Sequence, residues 1–150
     1  MIVTNLECIQ KIINEGNGIV VSEKYCTDFD NYLCNHYPWV PITASKIDWE
    51  KVPGSYKRFN WVNISDKETE GFLRGTCIDE FDEVCIVYGA RQPGLLVSRE
   101  FAYKNFPILT IFGWTVRFVV GVRRDQHGLI VLEHNCFVEV DFIDWLTSSC

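Results

Sequence analysis

Four carboxylates crowd one short run of the chain, GTCIDEFDEVCIVYG, from Gly75 to Gly89. Asp79, Glu80, Asp82 and Glu83 surround Phe81 and lead into Val84-Cys85-Ile86-Val87-Tyr88, which reads as a buried strand. The run lacks the glycine and the twelve-residue ligand spacing of a calcium loop. A pair such as Asp79 and Asp82 suits acid/base work, yet any acidic surface supplies such pairs, so no catalytic dyad is singled out. Charge at the entrance of a strand is most often a solvated turn. What favours more than that is its company: Glu133, Glu139, Asp141 and Asp144 add carboxylates near the last strand, with Trp145 beside them. An aromatic ringed by carboxylates suits a basic protein patch, the ring supplying contact area and the charges orientation and association rate. The candidate partner-binding residues are therefore Asp79, Glu80, Phe81, Asp82, Glu83, Glu139, Asp141 and Asp144.

A second pattern points to metal. Cys34-Asn35-His36 and His134-Asn135-Cys136 each place a thiol and an imidazole two residues apart. On strands that spacing puts both side chains on one face, and two such pairs make a Cys2His2 set for zinc. Against it, structural zinc sites space their ligands through tight knuckles, which are missing here, and buried apolar cysteines are the plainer reading. Cys34, His36, His134 and Cys136 stand as the alternative, a zinc protein or small enzyme. No glycine-flanked cysteine, Gly-x-Ser-x-Gly elbow or phosphate-cradling loop accompanies them. No cofactor is implied.

Composition narrows the partner. Of 150 residues, 20 are acidic and 14 basic, a formal charge of −6, and no Lys/Arg-rich block offers a footprint for phosphate backbones. Direct nucleic-acid binding is therefore not expected, whereas an acidic surface attracts cationic proteins. The seven cysteines are odd in number and the N-terminal residues lack the pattern of a signal peptide, so reduced thiols and a cytoplasmic location are expected. No apolar run reaches the roughly 18 to 20 residues that span a bilayer, so no membrane partner is expected either.

The elements that must carry these residues follow from periodicity. Leu6, Ile9, Ile12 and Ile13 repeat at helical spacing behind a cap at Thr4 or Asn5, and Gly16-Asn17-Gly18 stops that helix. Ile19-Val20-Val21 reads as a short strand, and Cys26 to His36 fits either helix or loop. The Pro38 to Pro53 segment reads as irregular surface anchored by Trp39, Ile47 and Trp49. Arg58 to Ile64 reads as a half-buried strand, and Ser65-Asp66-Lys67-Glu68 as a capping box opening a short helix that Gly75 ends. Leu95-Leu96-Val97 reads as a strand, followed by a helix from Ser98 that Pro107 limits. Thr115 to Val122 and Leu129 to Asp141 form a hairpin around the polar loop Arg123 to Gly128. The expected fold is one globular domain, 1–150, of the α+β class: an N-terminal helix packed on a mostly antiparallel curved sheet with short helical interruptions.

A small acidic single domain with 21 aromatic residues, clustered carboxylates and no catalytic motif resembles bacterial immunity proteins, including those of contact-dependent growth inhibition systems. The resemblance is one of overall character and spans the whole chain. It implies an antitoxin-like inhibitor rather than an enzyme, one that holds a cognate nuclease toxin domain and blocks its active site or a neighbouring surface. It carries no residue assignments, so the partner-binding set remains the one drawn from charge and aromatic pattern.

Overall fold

The computed structural model of the protein describes residues 6–41, 46–61, 65–111, 117–140 and 145–149. In chain order it contains α1 (Leu6–Asn14), β1 (Gly18–Val21), α2 (Glu23–His36), β2 (Lys57–Asn60), α3 (Asp66–Arg74), β3 (Glu83–Val87) and β4 (Gly94–Ser98). Then follow α4 (Arg99–Lys104), α5 (Phe106–Ile111), β5 (Phe118–Arg124), β6 (Ile130–Val140) and β7 (Trp145–Ser148). Two 3-10 turns lie at Trp49–Lys51 and Cys77–Glu80. The strands make one open sheet in the order β1-β4-β3-β5-β6-β7-β2, with every pairing antiparallel. The fold class is α+β.

Local chemistry sets the helix ends. Gly16 adopts φ 77°, the left-handed stop expected after α1. Ser22, Ser65 and Ser98 each accept a hydrogen bond from a first-turn backbone N–H, of Lys24, Glu68 and Phe101 respectively. Cys26 to His36, ambiguous by pattern, is helical: Cys26, Phe29 and Leu33 recur at three and four residues and all are buried. Pro107 does not limit the helix from Ser98, which already ends at Lys104. It lies instead in the first turn of α5, where its missing N–H has no intrahelical acceptor to lose. The half-buried strand expected from Arg58 to Ile64 is Lys57–Asn60, and Val62 to Ile64 lie outside the described residues. So do the Thr4 or Asn5 cap and Thr115. The hairpin strand runs through Arg123 and Arg124, which pair with Val131 and Ile130, so the loop is shorter than its polarity suggested.

Both faces of the sheet are covered. Val84, Ile86 and Tyr88 join Ile12 of α1, Leu73 of α3 and Ala102, Tyr103 and Phe106 in one apolar cluster. Cys85 and Val87 join Cys26, Phe29 and Leu33 of α2 with Ile47 and Trp49 in the other. That explains why β3 reads as an unbroken apolar run: in a strand buried on both sides, neither alternating set faces water. A helix over one face was expected; the second layer, α2 with Trp39, Ile47, Trp49, Val52 and Tyr56, is an addition. Trp39 and Ile47 bridge to each other, and Ile47 and Trp49 are buried, so the anchors of that segment are those its aromatics and isoleucine suggested.

One irregularity reverses the faces of a strand. Val120 pairs with Phe137 and Val122 with Leu132, so two residues along β5 are matched by five along β6. The surplus of three is odd, and an odd insertion turns a strand's face pattern over. Leu132 accordingly lies in the α2-side cluster, whereas Cys136, Val138 and Val140 lie in the α1-side cluster.

Candidate functional site

The acidic run occupies the 3-10 turn Cys77–Glu80, a two-residue link and the first residue of β3. Its four carboxylates divide into two kinds. Asp79 accepts a hydrogen bond from the Tyr103 hydroxyl at 3.0 Å and lies 3.7 Å from Arg99 Nε. Arg99 Nη1 also donates to the Asp79 carbonyl at 2.6 Å, and the Arg99 backbone N–H donates to the carbonyl of Asp82. Burial and then the Asp79 contact push the Tyr103 hydroxyl well above the ordinary tyrosine pKa, so it stays a donor. Glu83 takes a two-point contact from Arg124, Nε to Oε1 at 3.0 Å and Nη2 to Oε2 at 3.2 Å. Glu80 and Asp82 are exposed and have no side-chain partner among the described residues. Phe81 is partly buried on the α1-side core, its ring 2.7 Å from where a Cβ on Gly121 would stand. It serves chiefly as a plug that fixes the turn.

Behind the turn lies an ion-pair network. Arg74 contacts Glu70 at 3.1 Å and makes a two-point contact with Glu100, at 2.6 and 3.0 Å. Arg99 reaches Glu100 at 3.1 Å. The Arg74 guanidinium, with help from Arg99, holds the Glu100 carboxyl down to about 2. The network and the turn together carry six carboxylates, Glu70, Asp79, Glu80, Asp82, Glu83 and Glu100, against Arg74, Arg99 and Arg124. The surface stays negative while its shape is pinned to α3 and α4.

Strand register sets what else shares this end of the sheet. Glu83 is level with Ser98 of β4 and Val122 of β5, and Val122 is level with Leu132 of β6. The β5–β6 loop therefore projects beside the acidic turn. There Asp125 Oδ1 accepts from the backbone N–H groups of His127 and Leu129, Gly128 adopts φ 79°, and Leu129 is 58% exposed. Leu129 was not among the residues singled out by sequence. Its only signal was an apolar side chain directly after a polar loop.

The second acidic group does not join the first. Glu139 pairs with Phe118, which pairs with Val87, four residues along β3 from Glu83, or roughly 13 Å at strand rise. Nor does Glu139 face a partner: it is 5% exposed and accepts from Ile47 N and Trp49 Nε1, each at 2.9 Å. The expectation of a partner-facing Glu139 is corrected: it pins the 46–49 segment to the sheet, because a buried carboxylate needs donors and a backbone N–H and an indole supply them. A shallow pocket of about 320 Å³ opens over it, lined by Lys46, Tyr56, Arg58 and Thr147 among others. Asp141 and Asp144 lie outside the described residues. Trp145, on β7, is capped by the Arg58 guanidinium 4.5 Å from its ring centre.

The Cys2His2 set is not assembled. Cys34 and His36 are on α2, where two residues turn through about 200°, so they diverge. Cys34 Sγ donates to Asp30 at 3.7 Å, and His36 stacks on Tyr32 with ring centres 4.0 Å apart. His134 stacks on the same tyrosine, also at 4.0 Å, on the α2 side. Cys136 is on the opposite side, since the β6 irregularity reverses the faces between them, and it is disulfide-bonded to Cys77 with Cα atoms 5.8 Å apart. Among the described residues no group of three or more His, Cys, Asp or Glu is placed to hold a metal. The disulfide overturns the expectation that all thiols are free: a bridge over 59 residues brings together a loop cysteine and a strand cysteine that no local spacing relates.

Among the described residues no helix is long and apolar enough to cross a membrane. No family model, curated protein or solved structure matches the chain.

Proposed function

We propose that the protein is a binding module that neutralises a basic protein partner, as an immunity protein blocks a cognate nuclease toxin, and that it docks through the acidic end of the sheet. The observation that carries this reading is the pair of exposed carboxylates, Glu80 and Asp82, on a turn bolted down by Arg99 and Tyr103. A turn already ordered loses little entropy on binding. Its charges raise the rate of encounter with a cationic surface. Leu129 offers an apolar contact at the same end, so the partner surface that fits has a basic rim around an apolar depression.

The compartment this function calls for is the cytoplasm, where a nuclease meets nucleic acid. The Cys77–Cys136 bridge argues against a reducing compartment. Thiol titration of protein taken directly from its native cells decides between them.

Wild type and the Glu80→Lys/Asp82→Lys variant, used side by side as bait in native-host extract, test the docking surface. The expected result is a basic protein captured by wild type alone, with a nuclease activity that falls when wild type is added. Equal capture by both baits, or capture without loss of activity, sinks the reading.

A further inference from the structure

The two edges of the sheet are unlike. The β2 edge reads Lys57-Arg58-Phe59-Asn60, charged in the way that discourages pairing with another strand. The β1 edge reads Gly18-Ile19-Val20-Val21, with Ile19 63% and Val20 55% exposed. These two neighbours are half of the four large apolar side chains exposed among the described residues. On its inner side β1 is filled: a Cβ on Gly18 would stand 3.0 Å from both Ile12 and Leu95, so α1 sits directly over the strand. Its outer edge remains open, with Ile19 and Val20 partly uncovered beside it, and β4 is its sole strand neighbour among the described residues.

We propose that β1 pairs antiparallel with β1 of a second copy of this chain about a twofold axis, joining two sheets into one. Self-complementarity selects that occupant: from Gly16 to Ser22 no residue is ionisable, so in a chain that carries −6 overall a second copy of this edge can be met with no like charges opposed across the ladder. A basic partner gains no charge pairing at such an edge, which separates it from the acidic turn at Glu80 and Asp82.

Geometry permits the pairing. Ile19 lies opposite Leu96, on the α2 side, and Val20 opposite Leu95, on the α1 side. In a continuous sheet each residue must meet one from its own side. A twofold therefore sets either Ile19 against Ile19 of the second copy or Val20 against Val20 of the second copy. Both are branched apolar cross-strand pairs, the kind that stabilises a sheet. The interface is isologous, so it closes at two copies.

Sedimentation velocity across a micromolar-to-millimolar concentration series tests this on the full chain. The expected result is reversible doubling of the 17.4 kDa mass. Ile19→Lys and Val20→Lys, at positions already exposed, should keep the circular dichroism of the wild type. Together they should raise the dimer dissociation constant roughly tenfold or more, since like charges directly opposite across a ladder repel. Hydrogen exchange of the wild type supplies a test that needs no variant: amide protection within 18–21 should rise with protein concentration. A monomer at every concentration overturns the proposal, as does a dimer that the double variant leaves intact or 18–21 protection that ignores concentration.

Discussion

Breaking the Cys77–Cys136 bond is the perturbation with the most calculable outcome. The bond joins the start of the acidic turn to β6 across a sequence separation of 59. Releasing it restores freedom mainly to the unfolded chain, and the loop-closure relation for that separation gives about 4 kcal/mol at 25 °C. For a chain of this size each kcal/mol moves the melting point by about 2–4 °C, so the drop should be about 8–16 °C. The turn should survive in the folded state, because Arg99 and Tyr103 hold it independently. The assay is urea unfolding with and without reductant, beside a Cys77→Ala/Cys136→Ala variant. Reduced wild type and the variant should unfold at nearly the same, lower midpoint, and reductant should leave the variant unmoved. Thiol titration of denatured, unreduced protein should find at least two fewer than the seven cysteines. Seven free thiols, or a midpoint indifferent to reductant in the wild type, would refute the reasoning.

Three further outcomes follow from the side-chain contacts of the acidic turn and of Glu139. Glu139→Ala strands the Ile47 N–H and the Trp49 indole N–H in a buried place and should cost about 2–6 kcal/mol, at about 1–3 for each orphaned donor, with a change in tryptophan fluorescence. Glu80→Ala, at an exposed position, should stay within about 0.5 kcal/mol in the same urea titration. Acid should act through Glu100, whose carboxyl is held by Arg74 from 4.5 down to about 2. A depressed carboxyl stabilises the fold above its ordinary value and loses that contribution as pH falls toward the lower one. Melting points of wild type should therefore fall between pH 4.5 and 2 more steeply than those of Glu100→Gln, and a parallel fall in both would remove Glu100 from the account.

What sequence alone determined is what short-range physics controls. The stripe Ile9, Ile12, Ile13 and the left-handed Gly16 define α1 because helix period and backbone sterics act within a few residues. Ser65 and Ser98 mark helix starts for the same reason, each bonding an N–H three residues on. The apolar run Val84 to Tyr88 announced a buried strand, and the hairpin around Arg123 to Gly128 announced itself through its turn residues, although its strands run further into that loop. Helix α2 was harder to read, because Cys26, Phe29 and Leu33 make a narrow stripe among polar and aromatic neighbours. The strand β7 was not foreseen: four residues behind a polar step are too few for alternation to register.

Tertiary structure decided the rest, because it depends on registers and distances that composition does not encode. The surplus residues of β6 opposite Gly121 reversed the faces between His134 and Cys136, so a spacing that promised one metal site sent the imidazole to α2 and the thiol to Cys77. Strand register placed Glu139 level with the opposite end of β3 from Glu83, and the fold of the 46–49 segment over it turned an apparent surface charge into a buried acceptor. Within the acidic run, sequence showed four equivalent carboxylates. Only the approach of Arg99, Arg124 and Tyr103 separated Asp79 and Glu83, which hold the turn, from Glu80 and Asp82, which remain turned to solvent.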